Sequence, residues 1–218
     1  MKGVAQAVLF DLDGTLADTA PDLARALNRL RAEQRLPPLP LALTRPHTSS
    51  GARGMLGVGL GLAPDDARYA DLRERFLDYY EQDLCVETKL FDGVAELILQ
   101  LRARGLPWGV VTNKAKRFTE PLLRRLDPRP SPGCVVSGDS TPKIKPAPDS
   151  LLHAAELLDL APAECLYVGD DLRDVQAARA AGMPVIVAAW GYLGDAGDPS
   201  GWGADAVIGH PLDTLKFL

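Results

Sequence analysis

The chain has 218 residues, 46% of them apolar, and a formal net charge of −5. That is enough apolar side chain for one large core, and every apolar run is broken by charged or turn residues well short of a membrane span. The mild acidity, with no Lys/Arg block, argues against nucleic acid as a partner, and the three cysteines (Cys85, Cys134 and Cys165) are too few and too scattered for a disulfide framework or a Cys-x-x-Cys zinc site.

In chain order, Ala7–Phe10 reads as a buried strand that runs into Asp11 and Asp13. Residues 17–87 then read as helical, with no convincing strand. Thr19 and Asp22 make a candidate capping box ahead of Leu23, Leu27 and Leu30. A Pro-rich loop (36–46) and a Gly-rich loop (49–62) follow. In the helix expected over 65–84, Tyr69, Leu72, Phe76, Tyr79 and Tyr80 form one buried stripe. Beyond residue 88 a strand-then-helix rhythm sets in. It comprises a helix over 93–104 stopped by Gly105, a strand within 106–113, a helix start and short helix over 118–126, and a strand within 134–138. A helix over 148–160, a strand within 164–171, a helix closed by Gly182 and two last strands, within 184–189 and 204–209, complete it. This alternation predicts an α/β fold: a Rossmann-like parallel sheet with helices on both faces, built from residues 1–16 and 88–218. A small α-helical cap over 17–87 is inserted after the first strand.

In such sheets ligands bind beyond the carboxyl ends of the strands, and the polar residues collect there. Asp11 and Asp13 are two positions apart, so their carboxylates share one side unless the chain turns between them. Gly14 lets the backbone leave the strand. Two like charges at a buried strand end call for a divalent cation, and oxygen-only ligands suit Mg²⁺; solvated acids in a turn are the alternative. Thr112 and Asn113 end the next strand and can hold phosphate oxygens or cap a helix. Lys145, in KIKPAP, can aim its ammonium at phosphate or at an aspartyl nucleophile, and Pro146 holds it extended while Lys143 is unconstrained. Asp170 ends a buried strand as Asp11 does, and Asp171 and Asp174 add acids that can join a metal site or serve a helix dipole.

Taken together, Asp11-Leu12-Asp13-Gly14-Thr15, Thr112, Lys145 and Gly169-Asp170…Asp174 resemble, in order and across the whole core, the motifs of the haloacid dehalogenase-like hydrolases. The resemblance implies Asp11 as nucleophile through an aspartyl-phosphate, and Asp13 as general acid and then base. It implies Mg²⁺ held by the Asp11 carboxylate, the Asp13 carbonyl and the Asp170 carboxylate, with Thr112, Asn113 and Lys145 on the phosphoryl group. The second aspartate argues for phosphate chemistry over dehalogenation. A sugar-phosphate mutase or dehalogenase on the same fold, or a phosphate-responsive regulatory protein, is the alternative.

Much of the chain is similar to bacterial phosphoglycolate phosphatases, in FDLDGTLADTAPDL, VVTNK, KPAP and AARAAG. Other stretches (GARGM, KLFDGVAEL, WGVVTNK, VGDDLRD and WGADAVI) look closer to the N-acetylmuramic acid 6-phosphate phosphatases of peptidoglycan recycling. Arg53, in the Gly-rich stretch, is a candidate partner for the carboxylate both substrates carry, with a plain surface arginine as the alternative; His47 has a weaker claim. GVGLGL (57–62) lacks the last glycine and the preceding strand of a dinucleotide loop. The partner expected is a small phosphorylated metabolite, without nucleic acid or membrane, and the protein itself is expected to be a monomer or homodimer. The short apolar stretch after Lys2 is no secretion signal, so a cytoplasmic location is expected.

Overall fold

Ala7, Val8, Leu9 and Phe10 form β1 (Ala7–Phe10), and none of them is more than 1% exposed. Val8 and Phe10 enter one core and Ala7 and Leu9 another, so the continuous apolar run is a strand buried on both faces. The structure, a computed structural model, describes residues 5–129 and 131–218. After β1 come β2 (Ala17–Asp18) and the helices α1 (Ala20–Glu33), α2 (Leu41–Thr44), α3 (Gly51–Leu60) and α4 (Tyr69–Gln82). Next are β3 (Lys89–Leu90), α5 (Val94–Ala103), β4 (Trp108–Val111), α6 (Lys116–Leu126) and β5 (Cys134–Val136). The chain ends with α7 (Asp149–Leu157), β6 (Cys165–Gly169), α8 (Leu172–Ala181), β7 (Val185–Ala188) and β8 (Ala206–Ile208).

Six strands form one parallel sheet in the order β5-β4-β1-β6-β7-β8. The order reverses direction between β1 and β6, where Leu9 pairs with Tyr167 and Phe10 with Val168. A crevice opens at such a switch point, beyond the strand ends, and Asp11 and Asp170 follow β1 and β6 directly. The α/β class and the parallel sheet agree with the reading from sequence. Among the described residues, no helix is long and apolar enough to cross a membrane.

Helices α1 to α4 all lie between β2 and β3, which pair antiparallel as Ala17 with Leu90 and Asp18 with Lys89. The expectation of no strand within 17–87 is corrected by β2, which at two residues is too short to show an alternation. The Gly-rich stretch is also corrected: it is the helix α3 rather than a loop. Its glycines serve close packing, since a Cβ on Gly59 would lie 2.4 Å from Leu27 Cδ1 and one on Gly54 2.3 Å from the His47 carbonyl oxygen. The Pro-rich stretch ends in α2 and a 3₁₀ turn over Arg45–Ser50. In α4, Leu72, Phe76 and Tyr80 are buried as the stripe predicts, and Tyr69 and Tyr79 are half-buried against the same core. Residues 118–126 belong to one continuous helix, α6, with Pro121 inside it.

The capping box expected at α1 does not form, because both of its side chains are taken elsewhere. The Thr19 hydroxyl donates to Asp13 Oδ1. The Asp22 carboxylate accepts the backbone N–H groups of Val86, Glu87 and Thr88 and the Thr88 hydroxyl, tying α1 to the segment that returns to β3. The free N–H groups of Thr19 and Ala20 donate to the hydroxyl of Tyr192, more than 170 positions away, at 2.8 and 3.0 Å.

Candidate active site

Asp11 continues the β1 ladder, its N–H donating to the Val168 carbonyl at 2.9 Å. The chain then turns sharply, with Leu16 N–H reaching back to the carbonyls of Asp11 and Leu12 and Gly14 at φ +89°. The turn separates the two acids. Asp11 Oδ1 accepts from Leu12 N–H at 2.7 Å and lies 2.9 Å from Lys145 Nζ. Asp13 Oδ1 accepts from Thr19 Oγ1 at 2.5 Å and from Lys114 Nζ at 2.9 Å.

Asp170, fully buried at the end of β6, sits against this turn so closely that a Cβ on Gly14 would be 2.2 Å from its Oδ2. Asp170 Oδ1 accepts from the Thr15 hydroxyl, and Oδ2 from Tyr192 N–H and the Ser49 hydroxyl. Carboxylate oxygens of Asp11, Asp170 and Asp174 lie within 4.8 Å of one another. Burial, set against Lys145 and reinforced by the charge of Asp174, pushes the Asp11 carboxyl up to about 7. Burial, with the charges of Asp11 and Asp174, pushes Asp170 well above the usual carboxylate range. Crowded, buried and oxygen-only, this donor set fits a hard divalent cation such as Mg²⁺, which would relieve the repulsion.

The two acids at the start of α8 have separate tasks. Asp171 is the N-cap, accepting from Arg173 N–H at 2.8 Å and pairing with its guanidinium at 2.7 Å. Burial opposes its charge, but the bonds from Arg173 outweigh that and hold Asp171 below the usual range. Asp174 turns inward, where Oδ2 accepts from Asp171 N–H and Oδ1 lies 2.7 Å from Lys145 Nζ and 3.2 Å from the Tyr167 hydroxyl.

Lys145, 3% exposed, therefore sits between Asp11 and Asp174. Burial works against its charge; the two carboxylates more than reverse this and raise it above the ordinary lysine range. Asn113 clasps its backbone, donating to the Lys145 carbonyl and accepting from the Lys145 N–H, each at 2.9 Å. Thr112, at the end of β4, is buried, and its hydroxyl accepts from Lys114 N–H.

A cavity of about 600 Å³ opens in front of these groups. Asp11, Asp13, Thr112, Asn113, Lys145 and Asp174 line its floor, and Asp171 also borders it. Asp170 is not part of the lining and lies against the Gly14 turn. Tyr69, Phe76, Leu77 and Tyr80 of α4 and Phe118 of α6 give the cavity apolar lining, interrupted by Arg73 and Glu74 of α4 and Arg117 of α6. Arg53 lines the cavity from α3 and is exposed. His47 lies outside it, 3.2 Å from Asp195, and Lys143 is exposed on its loop.

Sequence reasoning missed Lys114, Ser49, Arg173 and Tyr192 at this site. Lys114 directly follows the polar strand end Thr112-Asn113, a placement that could have marked it. Ser49 and Arg173 bond to each other, Arg173 Nη2 donating to the Ser49 carbonyl at 2.9 Å, and only the fold brings them together.

Residues 5–182 match the family of haloacid dehalogenase-like hydrolases, more than half of the chain. The chain belongs to that family. This hydrolase is 40% identical to an N-acetylmuramic acid 6-phosphate phosphatase of Pseudomonas putida, over 98% of this chain and 96% of the other. It is 44% identical to a phosphoglycolate phosphatase of Xanthomonas campestris, over 94% of this chain and 93% of the other. Among solved structures it is similar to a predicted phosphoglycolate phosphatase from Haemophilus somnus, with a TM-score of 0.85, 28% identity and 97% of each chain covered.

Proposed function

We propose that the hydrolase is a Mg²⁺-dependent phosphomonoesterase that works through an aspartyl-phosphate on Asp11. The observation that carries this reading is the Asp11 carboxylate lining the cavity, 2.9 Å from Lys145 Nζ and within 4.8 Å of carboxylate oxygens of Asp170 and Asp174. A carboxylate can attack a phosphate dianion only where cations screen the repulsion. Asp11 and Asp170, with Asp174 in the same oxygen cluster, would hold Mg²⁺, which when bound neutralises charge on the phosphoryl group. Lys145 and Thr112 bind phosphoryl oxygens, and the Asn113 clasp fixes the backbone that presents Lys145. Asp13, on the cavity floor but turned away from the acid cluster, gives a proton to the leaving alcohol and then takes one from the attacking water.

Helices α1 to α4, within residues 17–87, act in this reading as the cap that selects the substrate. Of the two substrates named for its relatives, N-acetylmuramic acid 6-phosphate suits the cavity better. About 600 Å³, lined by both apolar and charged side chains, is room for a drug-sized ligand, far more than a two-carbon acid phosphate fills. Arg53 is the candidate partner for the substrate carboxylate. The test is kcat/KM for N-acetylmuramic acid 6-phosphate and 2-phosphoglycolate side by side, with Mg²⁺ and with EDTA. The sugar phosphate is expected to lead and EDTA to abolish both; turnover unaffected by EDTA would overturn the metal-dependent reading.

A further inference from the structure

Lys114 is a buried cation that the scheme above leaves without a task. Its side chain is 8% exposed, and its ammonium lies 2.9 Å from Asp13 Oδ1 and 4.6 Å from the centre of the Tyr80 ring of α4. Its backbone is fixed at several points. Its N–H donates to the Thr112 hydroxyl, and its carbonyl accepts from Gly138 N–H and from the Thr119 hydroxyl. Asp13 Oδ1 thus takes two donors, Lys114 Nζ and Thr19 Oγ1, while Oδ2 takes none from the described residues.

We infer that Lys114 is a positioning residue for proton transfer by Asp13: with Thr19 it occupies Oδ1, so that Oδ2 is the oxygen presented to the leaving group. A charge-assisted bond and a neutral hydroxyl bond on one oxygen leave the carboxylate little freedom to rotate. The Tyr80 ring, 4.6 Å from the ammonium, adds a cation–π contact that helps hold it beside Asp13. Lys114 stands two residues after Thr112, so one turn holds both the phosphoryl group and the acid that serves the leaving oxygen.

This inference rests on the phosphomonoesterase reading, and leaving-group dependence separates the two. The probes are substituted phenyl phosphates whose phenols span about five units of acidity. A good leaving group needs no proton in the transition state; a poor one does. For Lys114→Met, kcat/KM should fall about ten- to hundredfold on the poorest leaving group and less than about threefold on the best. Thr19→Val, nearly isosteric, should tilt the same plot in the same direction by a smaller factor, and it carries the test alone if Lys114→Met does not fold. An equal loss across the series, or none, would overturn the positioning role while leaving the phosphatase reading intact. Wild-type enzyme that releases no phosphate from any probe would bring down both.

Discussion

Tyr192 donates its backbone N–H to Asp170 Oδ2 at 2.9 Å, while its hydroxyl accepts the first N–H groups of α1 and donates to Asp18 Oδ1. One residue thus serves the acid cluster through its main chain and the root of the helical layer through its side chain. Tyr192→Phe separates the two. The loss of a buried acceptor for two N–H groups should cost about 1–3 kcal/mol in thermal or denaturant unfolding. Mg²⁺ affinity, measured by calorimetry, should stay within about twofold, because the backbone bond to Asp170 survives.

Asp11 gives the protein a pH dependence of definite sign. The folded-state carboxyl titrates at about 7 and the ordinary value is 3.8, so between these the folded chain keeps a proton that the unfolded chain has lost. Stability without metal therefore falls as pH rises through that window and levels off above it. Asp11→Asn should unfold at a higher temperature than wild type at about pH 8 in EDTA, and the difference should vanish near pH 4. Mg²⁺ should raise the wild-type Tm more at about pH 8 than at about pH 5. The same variant should lose phosphate release by about a thousandfold or more.

Gly14 and Gly105 both have positive φ, +89° and +70°, but only Gly14 has a neighbour in the way. Gly105→Ala should cost only left-handed strain, about 1–2 kcal/mol, and keep full turnover. Gly14→Ala adds a Cβ that would stand 2.2 Å from Asp170 Oδ2, so Asp170 must shift. It should lower the Tm further than Gly105→Ala and weaken Mg²⁺ binding at least about tenfold. Equal effects for the two variants would show that the Asp170 contact is slack.

Arg53 has no ion-pair partner among the described residues and borders the cavity. Arg53→Ala should raise KM for a carboxylate-bearing substrate about tenfold with kcat less affected. The loss should be smaller on p-nitrophenyl phosphate, which offers no carboxylate. An equal loss on both would place Arg53 on the phosphoryl group instead.

The parts of this molecule that the sequence announced are those whose cause is local. Asp11, Thr112 and Asp170 each end a buried apolar run, and β1, β4 and β6 place those ends side by side. The α3 helix was hidden because glycine is among the poorest helix formers; what makes the segment helical is contact with α1, which needs Gly59 bare beneath Leu27. The Thr19–Asp22 pair matched a local pattern, yet more distant partners claimed both side chains. Lys114 and Tyr192 act across 101 and 172 to 174 positions, and no window along the chain spans such distances.

The β2–β3 ribbon has a consequence of its own. The chain departs at Ala17–Asp18 and returns at Lys89–Leu90, and these residues are hydrogen-bonded to each other. Topologically, everything between them is one long loop closed at its neck. Its length and sequence can change without re-threading a single strand of the six-stranded sheet. In the proposed reading, selection can therefore exchange the helical layer that selects the substrate while the sheet that carries the acid cluster is inherited intact.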